Sequence, residues 1–347
     1  MKISNRKKKK IIIFLIFFFP LISWTILSLN FGKTNTKFDE LALGKENLLV
    51  INKVDDKDFL CSSLDNIKKC IEFLKTKNFK KRILWIGNSQ LYSVNQGNSY
   101  SKIAPYLVSE YFYNKQIGII AFVAPNISFQ EYSHVISYLL SNINLDYIIL
   151  PLVFDDTRED IIRSNLTVEK KDSNLKTISL QEISEQKITN FLDKNINWTQ
   201  IRSQSQGHIF DALYRLRNYV FNINPSTVRK SIKSIYEKNV KSLNETLKKV
   251  KDNKIESILY IAPIRNYYKT PYVFEEYSEF KNEMEILAKN FSFTFYNLEN
   301  IVPENFWGTK RGTKLGIVEE IDFMHFKNEG HLILADDMIK ILENIIK

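Results

Sequence analysis

The sequence predicts a doubly wound α/β domain, in which helices sandwich a parallel sheet in three layers, preceded by one transmembrane helix. Two observations predict it. Short apolar segments alternate with amphipathic ones along residues 80–347, as in parallel strands joined by crossover helices. Near the N-terminus, residues 11–32 form an uncharged run of 22 residues, which is long enough to cross the core of a bilayer.

The first 32 residues predict the membrane topology. Residues 1–10 contain six Lys and Arg and no acid, so the positive-inside rule places them in the cytoplasm and the rest of the chain outside it. A cleaved signal peptide is the competing interpretation. We favour an uncleaved signal anchor, because the apolar run exceeds the core of a signal peptide and lacks a small-x-small cleavage site.

The net charge of +10 belongs mostly to this tail, since the remaining residues hold 43 bases and 39 acids. A basic body is therefore excluded, and nucleic acid is not a predicted partner of the domain. Salt-sensitive binding of the tail to nucleic acid or to an anionic membrane is a weaker hypothesis. With 44% hydrophobic and 25% charged residues, the body has a globular composition.

Residues 33–79 are polar and mixed, and they predict a stalk with one helix near residues 64–74. Cys61 and Cys70 lie in this segment. In an oxidising compartment they either pair across a short loop or stay unpaired. Their spacing fits no zinc or Cys-x-x-Cys redox motif.

The elements of the domain follow in order. Uniformly apolar runs predict buried strands, and apolar residues at helical spacing predict helices. The predicted strands are residues 81–86, 117–123, 147–154, 257–262 and 293–297. The predicted helices are residues 100–113, 129–141, 210–221, 226–251, 275–289 and 328–346. Residues 155–225 are long for a connection and predict an insertion that shapes or covers a pocket.

Polar side chains stand where the predicted strands end. In a doubly wound sheet the ligand crevice lies beyond these carboxyl ends. The candidates there are Asn88 and Ser89 after the first strand, Ala124 and Asn126 after the second, Asp155 and Arg158 after the third, and Arg265 after the fourth.

Asp322 and His325 stand three residues apart on a predicted loop before the last helix. A serine nucleophile needs a base within hydrogen-bond reach and an acid that fixes the tautomer of that base. One segment can supply both, so the sequence predicts a triad with Ser89. Each residue also has a structural interpretation, with Ser89 as a turn serine and His325 as a core or capping histidine.

The early Gly87-Asn88-Ser89 block and the late Asp-x-x-His block together resemble the SGNH (GDSL-type) hydrolases over residues 80–347. The resemblance implies that Ser89 is the nucleophile, that His325 is the general base and that Asp322 orients it. It implies no cofactor, and the sequence has no Gly-x-Gly-x-x-Gly or Walker loop for a nucleotide. No metal site is predicted either, and His331 is predicted to be structural.

The resemblance also implies an oxyanion hole, where this sequence departs from the family. The second block of the family donates a backbone N–H from a glycine, but the matching position near Ala124 or Asn126 has no glycine. The third block presents an asparagine, and Asp155 stands in that place. An ionised Asp155 would repel an oxyanion. Either it is protonated, or Arg158, Asn126 or Asn88 takes the role.

Arg158 and Arg265 each allow two interpretations. They pair with neighbouring acids, or they hold an anionic sugar, a carboxylate or the oxyanion with a bidentate fork. Both interpretations stay open for Arg158, and we favour pairing for Arg265. The aromatic residues Tyr267, Tyr268 and Tyr272 either stack on sugar rings or belong to the core.

The anchored arrangement resembles SGNH-like proteins of cell-surface polysaccharide acylation, including alginate O-acetylation and teichoic-acid D-alanylation. We therefore predict an extracytoplasmic serine esterase or O-acyltransferase that acts on acyl esters of envelope polysaccharide. Its predicted partners are this ester substrate, the membrane through residues 11–32, and envelope polysaccharide assembly proteins. The alternative is a catalytically altered domain that binds or scaffolds surface polysaccharide during assembly.

Overall fold

The computed structural model describes residues 47–64, 66–160, 162–163, 166, 216, 218–224, 227–312 and 319–346. Contacts divide the chain into two units, Met1–Gly44 with Ser173–Asn222 and Lys45–Asp172 with Ile223–Lys347. Of the first unit, only residues 216 and 218–222 are described, and residues 218–220 are helical. The predicted anchor at 11–32, most of the predicted insertion and most of the predicted helix at 210–221 lie outside the described residues.

The second unit contains ten strands and six α-helices among its described residues. The strands are β1 (Asn47–Leu49), β2 (Leu60–Cys61), β3 (Lys81–Gly87), β4 (Ser93–Asn95), β5 (Ile117–Val123), β6 (Tyr147–Leu152), β7 (Glu256–Ile261), β8 (Thr294–Asn297), β9 (Trp307–Arg311) and β10 (Glu319–Phe326). The helices are α1 (Ile67–Lys75), α2 (Ala104–Tyr113), α3 (Phe129–Leu140), α4 (Lys233–Asp252), α5 (Phe274–Asn290) and α6 (Asn328–Ile345). None of these helices is both long enough and apolar enough to cross a bilayer.

Six strands form a parallel sheet in the order β2-β5-β3-β6-β7-β8. The chain moves from β3 outward to β5, then returns to the other side of β3 and continues through β6, β7 and β8. This is a doubly wound topology with its switch point between β3 and β6. The predicted fold class is confirmed, and the ligand crevice is expected at the carboxyl ends of β3 and β6.

Helices cover both faces of this sheet. Every residue of β5 and of β6 is buried, which explains why both read as continuous apolar runs. The helix α2 packs against α6, and α3 packs against α4. A capping box begins α3, in which the Ser128 hydroxyl accepts the Glu131 N–H and the Glu131 carboxylate accepts the Ser128 N–H.

The predicted stalk is too long at its C-terminal end, because its described residues, 47–64 and 66–79, belong to the second unit. The strand β2 extends the central sheet beside β5, and α1 packs on β5. Cys61 and Cys70 form a disulfide that joins β2 to α1. The sequence indicated a helix in this segment, but it did not indicate that the apolar face of this helix would pack on the sheet.

The loop predicted before the last helix is instead a strand. An antiparallel hairpin of β9 and β10 precedes α6, and its register is irregular between Ile321 and Phe326. Asp322 and His325 lie within this irregular stretch. The interruption frees Asp322 and His325 from regular strand pairing, so their side chains can approach the end of β3.

Candidate active site

Ser89 is held by a tight turn at the end of β3. A Cβ at Gly87 would lie 2.5 Å from Leu91 Cδ1 and 2.9 Å from Pro151 Cγ, so only glycine lets β3 end this close to β6. The chain then enters a 3-10 helix, Ser89–Leu91, whose first turn is capped by the Asn88 side chain accepting the Gln90 N–H at 3.0 Å.

The structure brings Ser89, His325 and Asp322 into one hydrogen-bonded chain. Ser89 Oγ lies 2.9 Å from His325 Nε2, and His325 Nδ1 lies 2.9 Å from Asp322 Oδ2. With Nδ1–H donating to the carboxylate, Nε2 is left to accept the serine proton. This is the arrangement in which an imidazole acts as a general base toward a hydroxyl.

Asp322 is almost fully buried, and its other oxygen is also bonded. Asp322 Oδ1 accepts the Met324 N–H at 2.9 Å and the His325 N–H at 3.1 Å, which fixes the carboxylate on its own turn. Burial by itself would raise the pKa of Asp322, but the charge of His325, hydrogen bonding and the charge of Lys310 outweigh it. The pKa of Asp322 is therefore held well below its usual range, and the group is an anion.

Gln90 ties the serine turn to the histidine strand. Its buried side-chain amide donates to Pro263 O and to Met324 O, each at 2.8 Å. Met324 immediately precedes His325, so the Gln90 side chain links the turn that carries Ser89 to the strand that carries His325. No local sequence pattern indicates this role of Gln90, because the two acceptors lie 173 and 234 residues away along the chain.

Of the two backbone positions predicted after β5, Ala124 is excluded as an oxyanion donor. The Ala124 N–H already donates to Gly87 O at 3.1 Å and continues the sheet. Asn126 is exposed and has a φ of 46°, in the left-handed region that glycine adopts without strain. Asparagine tolerates this region better than other residues, so Asn126 has the conformation expected of a family glycine.

The Asp155 carboxylate forms ion pairs with two arginines, Arg158 and Arg229. It accepts from Arg158 Nη1 at 3.3 Å, from Arg229 Nη1, and from the Tyr272 hydroxyl at 3.0 Å. Arg158 also donates from Nε to Lys230 O at 3.1 Å. Of the interpretations left open for Arg158, the structure shows pairing with an acid. Arg229 was not predicted, since it lies 74 residues from Asp155.

Asn88 contacts a second carboxyl group, Asp156. Asn88 Nδ2 lies 3.2 Å from Asp156 Oδ1, and the Tyr132 hydroxyl lies 3.4 Å from Asp156 Oδ2. The amide offered as an oxyanion donor is thus turned toward the protein interior. Burial raises the pKa of Asp156 well above its usual range, Asp155 and Glu159 add to the effect, and the bonds from Asn88 and Tyr132 oppose it.

Arg265 is a buried structural residue. Its guanidinium pairs with Glu304 and donates to Gly308 O at 2.8 Å, and its backbone N–H donates to Phe323 O at 3.2 Å. These bonds join the end of β7 to the β9–β10 hairpin. Pairing, the interpretation favoured from the sequence, is what the structure shows.

His331 is fully buried and lies outside the chain of hydrogen bonds to Ser89. Its Nδ1 accepts the Ala104 N–H at 3.2 Å, which leaves Nε2–H to donate to Ser93 O at 3.2 Å. Burial lowers the pKa of His331 to about 3. Its role is structural, as predicted. Within the described part of the chain, no group of three or more His, Cys, Asp or Glu side chains has the arrangement of a metal site.

Two adjoining cavities lie beyond the carboxyl end of β7, and Asn266 and Tyr267 line both. One is about 470 Å³ and the other about 620 Å³. The larger cavity is also lined by Tyr268, Tyr272 and Phe274. Tyr267 is 68% exposed and Phe274 is 75% exposed, so flat aromatic surface faces solvent here. Tyr272 connects the cavity to Met324, the neighbour of His325.

Solved structures with a similar fold include one lipase and two esterases. A GDSL-like lipase from Bacteroides thetaiotaomicron has a TM-score of 0.41 and 12% identity, and the match covers 81% of this chain and 98% of that one. An acetylxylan esterase from Geobacillus stearothermophilus has a TM-score of 0.40 and 10% identity, with 78% and 96% covered. A psychrotrophic esterase from a Pseudoalteromonas species has a TM-score of 0.38 and 11% identity, with 77% and 99% covered.

These similar structures are GDSL-type and other esterases. No protein-family model matches the chain, and no curated protein matches it.

Proposed function

We propose that this protein is a serine esterase or O-acyltransferase in which Ser89, His325 and Asp322 act as a catalytic triad. The observation that carries the proposal is the continuous contact from Ser89 Oγ through the His325 ring to Asp322. A turn serine or a capping histidine has no need of such an arrangement. The three residues come from both ends of the domain, so chance proximity along the chain does not account for it.

In the proposed reaction, Ser89 Oγ attacks the acyl carbonyl while His325 Nε2 takes the hydroxyl proton. The tetrahedral intermediate collapses, and the imidazolium returns that proton to the leaving alkoxide. The acyl group now sits on Ser89. Water then attacks the acyl-enzyme with His325 again as the base, which gives an esterase, or a sugar hydroxyl attacks it, which gives an O-acyltransferase. Asp322 stabilises the imidazolium in both halves.

The proposed oxyanion donors are backbone N–H groups. Those of Ser89 and Asn126 follow β3 and β5, which are neighbouring strands of the parallel sheet. Asp155, which occupies the place of the family asparagine, has its charge offset by Arg158 and Arg229. This pairing weakens the repulsion that an unpaired carboxylate would exert on the oxyanion.

An extracytoplasmic, membrane-anchored location is part of the proposal. It is supported by the uncharged run at 11–32 behind a basic tail and by the disulfide between Cys61 and Cys70. Disulfides persist in oxidising compartments and are rare in the cytosol. The domain would then work on the outer side of the membrane.

A polysaccharide ester is the substrate class that we propose. Exposed Tyr267 and Tyr268 with the amide of Asn266 offer both the flat apolar surface and the hydrogen-bonding groups that sugar rings require. They line the larger of the two cavities, and Tyr272, which also lines it, contacts Met324, the neighbour of His325 in the sequence. Envelope polysaccharide assembly proteins are the proposed partners.

The deciding experiment uses the full-length protein in detergent and a serine-directed fluorophosphonate. We expect stoichiometric labelling of the wild type and loss of labelling in Ser89→Ala and His325→Ala. Ser93→Ala is the matched control, because Ser93 is buried four residues away and its hydroxyl has no hydrogen-bond partner among the described residues. It should label like the wild type.

Hydrolysis of acetylated oligosaccharides, with and without an unacetylated acceptor, distinguishes esterase from transferase. A folded wild-type protein that neither labels nor releases acetate would contradict the catalytic proposal. Binding of polysaccharide by that same inactive protein would favour the scaffold alternative, which the change from asparagine to Asp155 motivates.

A further inference from the structure

Two asparagine amides contact the same oxygen of Asp322 that accepts the His325 ring N–H. Asn47 Nδ2 donates to Asp322 Oδ2 at 3.2 Å, and Asn95 Nδ2 lies 3.4 Å from the same oxygen. Asn47 is 8% exposed and Asn95 is fully buried. The donors therefore act in a water-poor environment, where a hydrogen bond to an anion is strong.

The fold delivers both amides as a unit. The strands β1 and β4 pair antiparallel with Asn47 opposite Asn95, so the two side chains come from one position of a two-stranded ribbon. Asn95 Nδ2 also donates to Thr309 O at 2.7 Å, which docks the ribbon on β9. A Cβ at Gly308 would lie 1.7 Å from Asn95 Oδ1. Glycine at 308 therefore makes the space in which the Asn95 amide is held.

We propose that Asn47 and Asn95, which the β1–β4 ribbon carries to Asp322, are positioning residues for the general base. They fix Asp322 Oδ2 in line with His325 Nδ1, and the carboxylate then accepts five hydrogen bonds in all. The role rests on the proposed function of Ser89. It gives Asn47, a residue of the predicted stalk, a part in positioning the triad.

Loss of either donor has a directional consequence. A carboxylate with fewer hydrogen bonds is more basic, so it holds a proton on the neighbouring imidazole more strongly. The charged groups that act on Asp322 are His325 on β10 and Lys310 on β9, while β1 and β4 present neutral amides to it. Removing an amide therefore favours the imidazolium, which cannot act as a base.

The test uses full-length Asn47→Ala and Asn95→Ala, with active sites counted by fluorophosphonate. We expect kcat per active site to fall about tenfold in each, KM to stay within twofold, and the acid limb of kcat/KM to move to higher pH. Gly308→Ala should act like Asn95→Ala, because it displaces that amide without deleting it. Leu48→Ala is the control, since Leu48 lies in β1 with its side chain 38% exposed, and it should match the wild type.

The inference is overturned if the asparagine variants lose only active-site titre, with kcat and the acid limb unchanged, because that is the behaviour of a merely structural residue. A parallel titration of the His325 ring by NMR, without substrate, separates this failure from a failure of the proposed function. If the wild type is inactive, a higher titration midpoint in Asn47→Ala but not in Leu48→Ala still supports the positioning role. An unchanged midpoint contradicts it.

Discussion

Two buried aspartates flank the serine turn, and their pKa values move in opposite directions. Asp322 contacts His325, and its pKa is well below the usual range. Asp156 contacts Asn88, the residue before Ser89, and its pKa is well above that range. Each is 2% exposed, so the extent of burial does not explain the difference.

The partners explain it. Asp322 accepts two backbone N–H bonds and one from a ring that becomes a cation, and Lys310 adds its charge. Asp156 has neutral donors at 3.2 to 3.4 Å and lies near the carboxylates of Asp155 and Glu159. Burial penalises both anions, and only strong donors and positive charge reverse that penalty. The same residue type thus serves as an anion on one side and as a neutral acid on the other.

The largest expected effect separates the two aspartates by activity. Asp322→Asn should lower kcat about 10⁴-fold, because an amide neither stabilises the imidazolium nor enforces the required tautomer. Asp156→Asn should stay within about tenfold of the wild type, since an amide resembles a protonated carboxyl in shape and charge. The measurement is kcat per fluorophosphonate-reactive site. Equal losses in the two variants would contradict the assignment of distinct ionisation states.

The next effect concerns stability above pH 4. Asp156 binds its proton more tightly in the folded chain than in the unfolded one, so its contribution is complete below about pH 3.8 and is lost as pH rises toward the folded-state pKa. Asp156→Asn should therefore gain stability relative to the wild type by up to about 1.4 kcal/mol per pH unit over that window. Chemical denaturation at pH 4.5, 6 and 7.5 tests this. A constant difference would show that Asp156 is ionised in the fold.

Below pH 6.5, a buried histidine also makes the free energy of unfolding depend on pH. His331 has a folded-state pKa of about 3 against an ordinary value of 6.5, so its contribution is complete above pH 6.5 and is lost as pH falls toward 3. The expected slope is about 1.4 kcal/mol per pH unit. Asp322 begins to lose its own contribution only below about pH 3.8. The stability of His331→Gln relative to the wild type should therefore rise as pH falls from 6.5 to 4, and a constant difference would show that His331 keeps its ordinary pKa in the fold.

The smallest expected effect is at Asp155, the third aspartate of this region. Its pairs with Arg158 and Arg229 are a quarter or more exposed, so we expect a coupling energy of about 1 kcal/mol or less between Asp155 and Arg229. A double-mutant cycle with Asp155→Asn and Arg229→Met measures it by thermal unfolding. A coupling of several kcal/mol would mean that this pair is a structural anchor comparable to the buried network at Asp322.

Much of the fold could be predicted from the sequence because periodicity is a local property. The apolar runs that became β5 and β6 are buried throughout, and those that became β3 and β7 are buried after their first residues. Strands buried on both faces are continuously apolar. The glycine and serine after β3, and the Asp-x-x-His spacing, likewise carry their chemistry within a few residues. These local signals were enough to nominate Ser89, Asp322 and His325.

The sequence did not predict which distant residues each local segment contacts. It assigned residues 33–79 to a stalk, because strands as short as β1 and β2 are defined by their neighbours rather than by their own pattern. It assigned the Asp-x-x-His block to a loop, whereas this block lies in β10, whose register with β9 is irregular. It left Ala124 as an oxyanion donor, although the Ala124 N–H is used by the sheet. It also could not see which groups would surround Asp155.

By itself, the sequence determined which residues have the chemistry of a nucleophile, a base and an acid, and in which order the strands and helices occur. Only the tertiary structure decided how each group is tuned. Asn47 reaches Asp322 across 275 residues, and Arg229 reaches Asp155 across 74. The ionisation of a buried group depends on every donor and charge within a few ångströms, and folding brings those together without regard to their distance along the chain.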